Sequence, residues 1–147
     1  DINQTIKTTL LTFEGICANK HIRFNLILSG EQLFVTADFS KIQQVLYNLI
    51  DNAIKFSHQD STITIETTEK NDKVFVSVKD TGIGIPKDSL KKIWERFYKT
   101  DLSRGKDKRG TGLGLSIVKA IMEGMNQEYG VQNFDNGVEF WFTLDRK

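Results

Sequence analysis

Residues 48–56 read N-L-I-D-N-A-I-K-F and end the clearest helical pattern in the chain. One side of this predicted helix is apolar, with residues at helical spacing: Ile42, Val45, Leu46, Leu49, Ile50, Ala53 and Ile54. Another side carries a polar stripe, made of Gln44, Asn48, Asn52 and Lys55. A solvated helix face usually carries Glu and Lys, whereas Asn lowers helix stability and offers a neutral oxygen that suits a Mg²⁺ shell. The polar stripe is therefore either solvated surface or the wall of a Mg²⁺ site, and the helix alone leaves both interpretations open.

Helices and strands are predicted on both sides of this central helix. Helical spacing predicts a first helix over residues 2–18 and a last helix over 115–124, and Asp38 or Ser40 is expected to cap the central one. A short helix is expected from Pro86, with Leu90, Ile93 and Phe97 on one face. Residues 99–110 have no apolar periodicity and are expected to form a mobile loop.

Alternation of apolar and polar residues predicts the strands, at 22–28, 33–36, 62–68, 74–79, 129–132 and 138–144. Turn residues lie between successive members of each pair and predict three hairpins, at Ser29-Gly30, Lys70-Asn71-Asp72 and Asp135-Asn136-Gly137. Hairpins imply antiparallel pairing. The predicted fold class is α/β, a two-layer sandwich whose mixed, mostly antiparallel sheet is covered on one face by helices.

Composition limits the classes of protein. A length of 147 residues suits one domain over 1–147, and 20 basic against 19 acidic side chains argue against a general nucleic-acid or membrane-surface binder. Cys17 is the single cysteine and there are two histidines, which excludes a disulfide framework and a cysteine-rich metal site and fits a reducing, cytoplasmic setting. No apolar run approaches the roughly 18 residues of a membrane span. The chain begins at Asp1 rather than Met, which suggests a piece of a longer protein.

Two glycine-rich segments follow predicted strands or precede helices. Asp80-Thr81-Gly82-Ile83-Gly84-Ile85 follows a strand, and its glycines let the backbone approach a flat ligand while the carboxylate accepts from an exocyclic amino group such as that of adenine. Taken alone it is equally an ordinary turn. Gly110-Thr111-Gly112-Leu113-Gly114-Leu115 opens a helix, where free N–H groups and the helix N-terminus attract an anion. Neither a Walker A loop nor a G-x-G-x-x-G register fits it.

Together these segments resemble the Bergerat-type ATP-binding fold, and most closely the catalytic, ATP-binding domain of a bacterial two-component sensor histidine kinase. Residues 48–57 are similar to the family's N box, 80–86 to its G1 box, 93–98 (I-W-E-R-F-Y) to its F box and 110–115 to its G2 box. The similarity runs from about residue 22 to 144. It implies binding of Mg-ATP and transfer of the γ-phosphoryl group to a histidine.

The resemblance also implies roles for single residues. Asn52 matches a Mg²⁺ ligand, Asn48 a neighbour that contacts phosphate or the metal shell, Lys55 a phosphate-facing cation and Asp80 the acceptor of the adenine amino group. A flexible ATP lid is expected over residues 99–111, in which Arg104 is a candidate γ-phosphate contact, with Lys106, Lys108 and Arg109 as further cations or as plain solvated charges. The whole implied nucleotide site comprises Asn48, Asn52, Lys55, Phe56, Asp80, Gly82, Gly84, Ile85, Arg104, Gly110, Thr111, Gly112, Leu113, Gly114 and Leu115.

The sequence departs from the family pattern at three places. Phe56 stands where tyrosine is common, Trp94 where phenylalanine is common, and Met125-Asn126-Gln127 where His-Gly-Gly is usual, although Asn126 is still able to end a helix in the left-handed conformation. Neither His21 nor His58 resembles the phosphoacceptor H box. The acceptor is therefore expected on a dimerization domain of the same parent protein, with a response regulator downstream and no direct contact of this domain with membrane or nucleic acid.

Two other activities stay open for this fold. An ATP hydrolase of the topoisomerase or chaperone kind has a glutamate one turn before the metal asparagine, and that position here is Asn48, which cannot act as a general base. The second alternative is a pseudokinase that binds nucleotide without transferring phosphate. The presence of Asn52, Asp80 and all three glycines of residues 110–115 argues against it.

Overall fold

The computed structural model describes residues 1–82, 84–85, 87–95, 114–134 and 137–147. Helices and strands follow one another in the order α1 (Ile2–Leu11), α2 (Glu14–Lys20), β1 (Arg23–Ile27), β2 (Val35–Thr36), α3 (Phe39–Phe56), β3 (Thr62–Lys70), β4 (Lys73–Asp80), α4 (Gly114–Gly124), β5 (Tyr129–Phe134) and β6 (Gly137–Arg146). In place of the short helix expected from Pro86, two 3₁₀ turns occur at Lys87–Ser89 and Lys92–Trp94. None of the helices described here is long and apolar enough to span a bilayer.

The six strands form one mixed sheet. Its order is β1-β3-β4-β6, and the outer edge of β6 pairs with β5 along residues 137–142 and with β2 at residues 145–146. Only the pair of β1 and β3 is parallel among the described strands. The predicted α/β class with a mostly antiparallel sheet is confirmed.

The hairpin predicted around Ser29-Gly30 is wrong, because β1 and β2 lie in different parts of the sheet. The N-terminus of α1 takes up the hydrogen bonds that a hairpin would have used. The Asn3 amide donates to the Ser29 carbonyl (3.0 Å), Leu33 N–H donates to the Asp1 carboxylate (3.1 Å), and Ile2 N–H donates to the Leu33 carbonyl (2.9 Å). These bonds hold the connection between β1 and β2 against the start of α1.

The core lies between the helices and one face of the sheet. Alternate strand residues face it and are buried: Ile63, Ile65, Val74, Val76, Val78, Val138, Phe140, Phe142 and Leu144. All seven apolar residues predicted for the central helix are buried on α3. Burial of one such side chain contributes about 1.5–3 kcal/mol, so the apolar side of α3 fixes its orientation on the sheet and turns the polar stripe away from the core.

The first helix is divided, and the prediction of one continuous helix over 2–18 is wrong. Phe13 lies between α1 and α2 with φ −102° and ψ 4°, and only 1% of it is exposed. Its ring centroid is 5.0 Å from that of Tyr47 on α3. The break lets Phe13 enter the core, while the apolar spacing continues across it to buried Cys17 and conceals it in the sequence.

Three local predictions are confirmed at the ends of elements. The Asp38 side chain caps α3 by accepting from Lys41 N–H at 3.2 Å. Asn71 and Asp72 turn the β3–β4 hairpin with φ of 52° and 65°, as a type I′ turn requires. Asn126 takes the left-handed conformation (φ 56°), and Gln127 N–H reaches the Met122 carbonyl (2.9 Å) to close the end of α4.

Candidate functional site

Asp80 is the last residue of β4 and points into the helix-covered side of the sheet, where it is 2% exposed. Its Oδ1 accepts a hydrogen bond from Gly82 N–H at 3.0 Å. Burial raises the pKa of the Asp80 carboxyl to about 6, and the Gly82 hydrogen bond acts in the opposite direction. A buried carboxylate of this kind favours a ligand that brings a hydrogen-bond donor.

Gly82 places the loop after β4 in direct contact with the end of α3. A Cβ atom at residue 82 would lie 1.8 Å from the carbonyl oxygen of Phe56, the last residue of α3. No side chain fits there, so glycine is required by space. Gly137 is required for the same reason on the other side, since its Cβ would lie 1.8 Å from the Asp80 carbonyl oxygen. The backbone around Asp80 is therefore tightly enclosed.

The start of α4 lies against the polar stripe of α3. The Asn48 side chain accepts from Gln44 Nε2 at 3.1 Å and donates through Nδ2 to the Gly114 carbonyl at 3.3 Å. Gly114 is the first residue of α4, and a Cβ there would be 3.9 Å from the Asn48 side chain. Asn48 thus fixes the N-terminal end of α4, where the helix dipole is positive, beside the stripe.

The rest of the stripe lies between these two contacts. Asn52 is half-buried one turn after Asn48, and Lys55 forms an ion pair with Asp51 at 3.0 Å, with side chains 32% and 30% exposed. Asn48 and Phe56 are eight residues apart, which corresponds to about 12 Å along the helix axis. We call the surface along the polar stripe, from Gly114 at one end to Gly82 and Asp80 at the other, the groove.

The structure brings together most of the sequence-predicted site that it describes. Gly84 and Ile85 continue the loop from Gly82, and Leu115 is half-buried in the first turn of α4. Other assigned residues, together with Phe97 and the proposed lid over 99–111, lie outside the described residues: Arg104, Gly110, Thr111, Gly112 and Leu113.

Asn133 on β5 is a polar residue at this groove that the sequence analysis missed. Its Oδ1 accepts from Ile85 N–H at 3.0 Å and its Nδ2 donates to the Ile85 carbonyl at 2.6 Å. The predicted strand ended at residue 132, one position earlier. A polar residue that follows the apolar alternation of Tyr129 and Val131 is the signal that would have marked it.

The donor set at the groove suits a hard cation only together with a ligand. Among the residues described, no three His, Cys, Asp or Glu side chains are grouped so that they could hold a metal ion. The amide oxygens of Asn48 and Asn52 are neutral, and Mg²⁺ is typically held by one or two protein oxygens plus phosphate oxygens and water. The residues present therefore fit Mg²⁺ delivered with a phosphate ligand rather than a Mg²⁺ ion bound by protein alone.

The family model described as histidine kinase-, DNA gyrase B-, and HSP90-like ATPase matches residues 37–147, which contain α3, the loop after β4 and α4. The chain belongs to this family. Sensor histidine kinase WalK of Bacillus subtilis (strain 168) is 37% identical over 131 residues, which cover 87% of the chain and 21% of WalK. The chain thus spans about a fifth of that relative's length.

Solved structures of histidine kinases agree with the fold. The catalytic domain of histidine kinase ThkA in a nucleotide-free form has a TM-score of 0.89 and 34% identity, over 99% of this chain and 93% of that one. ThkA in complex with response regulator protein TrrA has a TM-score of 0.84 and 30% identity, over 100% of this chain and 41% of that one. Full-length ShkA in complex with AMPPNP has a TM-score of 0.84 and 26% identity, over 100% of this chain and 31% of that one. The chain therefore has the fold of a histidine kinase catalytic domain.

Proposed function

We propose that this chain binds Mg-ATP in the groove along α3 and donates the γ-phosphoryl group to a histidine on a separate dimerization domain of its parent protein. The observation that carries the proposal is the position of the polar stripe between a buried carboxylate at Asp80 and the N-terminal end of α4. A buried hydrogen-bond acceptor suits the amino group of a base, and a positive helix end suits phosphates.

At the Asp80 end, the chain recognises the adenine base. The ionised carboxylate accepts a hydrogen bond from the exocyclic amino group of adenine. This bond replaces one that the carboxylate would make with water if it were not buried. Gly82 has no side chain, so residue 82 places only backbone beside the Asp80 carboxylate. This assignment predicts selectivity for a purine that carries an amino group where adenine does.

At the other end, the chain holds the phosphates. The first turn of α4 presents backbone N–H groups and partial positive charge to an anion, and Asn48 keeps it beside the stripe. Asn52 and Asn48 would hold Mg²⁺, and the cation when bound neutralises charge on the β- and γ-phosphates. Lys55 adds a positive side chain on the same stripe, and Arg104 is assigned as a γ-phosphate contact.

The relatives support the wider role. WalK is a sensor histidine kinase, the ShkA structure contains AMPPNP, and the ThkA structure contains a response regulator. By similarity, we infer that this chain works with a histidine-bearing dimerization domain and a downstream response regulator in the cytoplasm.

The hydrolase alternative lacks its general base at the described site. Asn48 occupies the position of the hydrolase glutamate, and its amide is already hydrogen-bonded to Gln44 and Gly114. An amide at neutral pH takes no proton from water, so the attacking group must come with its own base or be a better nucleophile than water. A partner histidine meets that requirement.

Phosphotransfer is tested by mixing the chain with Mg-ATP labelled at the γ-phosphate and a dimerization domain that bears an H box. We expect an acid-labile phosphohistidine on the partner, and its loss in the Asn52→Ala variant together with the Mg²⁺ dependence of ATP binding. The Gln43→Ala variant, changed on a neighbouring position of α3 outside the stripe, is the matched control and should transfer normally.

Two outcomes would contradict the proposal. Tight ATP binding without transfer to any histidine-bearing domain would indicate the pseudokinase, and release of phosphate to water at a rate unaffected by the partner would indicate the hydrolase. Persistence of the Mg²⁺ dependence in Asn52→Ala would overturn the metal role of Asn52 alone.

A further inference from the structure

Asn133 lies in one row with Asp80 across the sheet. In the register of β4 with β6, Asp80 is opposite Val138, and in the register of β5 with β6, Asn133 is opposite the same residue. Directly paired residues point to the same face of a sheet, and neighbouring strands are about 4.8 Å apart. Asp80 and Asn133 therefore flank Val138 on the helix-covered face, with roughly 10 Å between their strands.

The loop after β4 crosses this row and is held at both ends. Its first part is fixed by the bond from Gly82 N–H to Asp80 Oδ1 (3.0 Å). Its second part is fixed by Asn133, which accepts from Ile85 N–H (3.0 Å) and donates to the Ile85 carbonyl (2.6 Å). Asn133 therefore bonds to both backbone polar groups of Ile85.

The chemistry of this contact is specific to a primary amide. A carboxylate accepts but has no hydrogen to donate, and an alanine offers neither group. At position 133 the amide satisfies the N–H and C=O of Ile85 at once, as a neighbouring strand would. The two residues of this contact are 48 positions apart in sequence, so the contact ties the loop after β4 to β5.

We propose that Asn133 is a positioning residue for base recognition: by fixing the Ile85 backbone, it holds the loop after β4 at the distance from Asp80 that an adenine ring requires. Asn133 acts through the loop and touches no ligand. The inference rests on the proposed nucleotide-binding function. Because Asn133 already holds the Ile85 backbone, binding avoids the cost of fixing Ile85, and the amino group of the base meets Asp80 in one geometry.

Calorimetric titration of the Asn133→Ala variant with ADP and with inosine diphosphate (IDP), which lacks the exocyclic amino group, tests the inference. Loss of two backbone hydrogen bonds should lower ADP affinity about tenfold. Affinity for IDP should fall less, so the preference for ADP over IDP narrows. Asn133→Asp should lose at least as much, because the carboxylate faces the Ile85 carbonyl. Gln132→Ala is the matched control, since Gln132 lies on the opposite face and bonds to Glu139. It should retain both affinities.

Amide hydrogen exchange without nucleotide tests the contact itself. In Asn133→Ala the exchange of Ile85 N–H should accelerate at least severalfold, whereas exchange at the core of β4 should not change. Wild-type affinity and wild-type ADP preference in Asn133→Ala would overturn the inference while leaving the proposed function intact. Failure of the wild-type chain to bind ADP at all would overturn the proposed function and the inference with it.

Discussion

Asp80 is the residue at which folding and the proposed nucleotide binding have opposite requirements. Its carboxyl is buried at the end of β4, and its pKa is raised to about 6 by that burial. The unfolded chain has the ordinary value of about 3.9. The folded state therefore binds the proton more strongly, and the ionised carboxylate lowers stability above pH 6. Under the proposed function, the adenine amino group donates to this carboxylate and offsets the cost on binding.

The pH dependence of this residue gives a prediction with a defined sign. Stability should be highest below pH 4 as far as Asp80 alone is concerned, and should fall as pH rises through the interval from about 4 to 6. The Asp80→Asn variant should lack this fall and exceed wild-type stability at pH 7 by up to about 3 kcal/mol. Urea unfolding of both proteins at several pH values measures it.

Nucleotide binding should show the opposite trend. The ionised carboxylate accepts from the adenine amino group more strongly than the protonated carboxyl does, so ADP affinity should be constant above pH 7 and fall by up to about tenfold per pH unit below pH 6. Asp80→Asn should weaken binding by about 1.5–3 kcal/mol at pH 7 and show no such dependence. An Asp80→Asn variant that binds ADP as tightly as wild type would refute the adenine assignment.

At the scale of elements, the groove depends on the close approach of the loop after β4 to the end of α3. A Cβ at residue 82 would overlap the Phe56 carbonyl, so Gly82→Ala must push the loop away from α3. We expect Gly82→Ala to lower the free energy of unfolding by about 1–3 kcal/mol. It should also weaken ADP binding more than the substitution of other glycines does.

Gly15→Ala on α2 is the matched control, because nothing lies within 4 Å of an added Cβ there. Alanine in that helix should raise stability by about 0.4–1 kcal/mol and leave ADP affinity unchanged. Thermal unfolding and calorimetry of both variants separate the two effects. A Gly82→Ala protein with wild-type stability and affinity would contradict the close contact.

The elements differ in how far sequence alone predicts them. Ile42 to Ile54 on α3 follow a single helical period, and the β3–β4 hairpin is closed by Asn71 and Asp72, so local patterns suffice for both. The break at Phe13 keeps the apolar spacing of α1, so periodicity does not reveal it. The parallel pair of β1 and β3 joins residues 39 positions apart, such as Arg23 and Thr62, so no local pattern reveals it.

The site shows the same division. Asp80, Gly82 and the polar stripe carry chemistry that their own sequence neighbourhoods display, and the structure brings them to one groove. Asn133 acts on Ile85 through backbone atoms 48 positions away, and backbone hydrogen bonds leave no mark on the sequence of the residue that they hold. The contact between Asn133 and Ile85 is therefore visible only in the structure.

At the scale of the whole molecule, the sheet separates two faces of unlike character. The helix-covered face ends in the groove, whereas the outer face carries half-buried Phe75 and Trp141, with ring centroids 6.1 Å apart. Gly130 leaves room for that indole, since a Cβ there would lie 2.7 Å from the Trp141 ring. The proposed function involves only the helix-covered face. Residues on the outer face therefore serve as internal controls in binding experiments.

The most direct test of the central claim, that the groove between α3, the loop after β4 and α4 holds the nucleotide, is an NMR titration of the labelled chain with Mg-ADP. The account predicts shifts of the backbone amides of Gly82, Ile85 and Gly114 and of the side-chain amides of Asn48 and Asn52. The resonances of the Ser77 and Gly130 amides and of the Trp141 indole N–H should keep the chemical shifts that they have without nucleotide. Saturable shifts on the outer face, with the groove resonances unmoved, would contradict it.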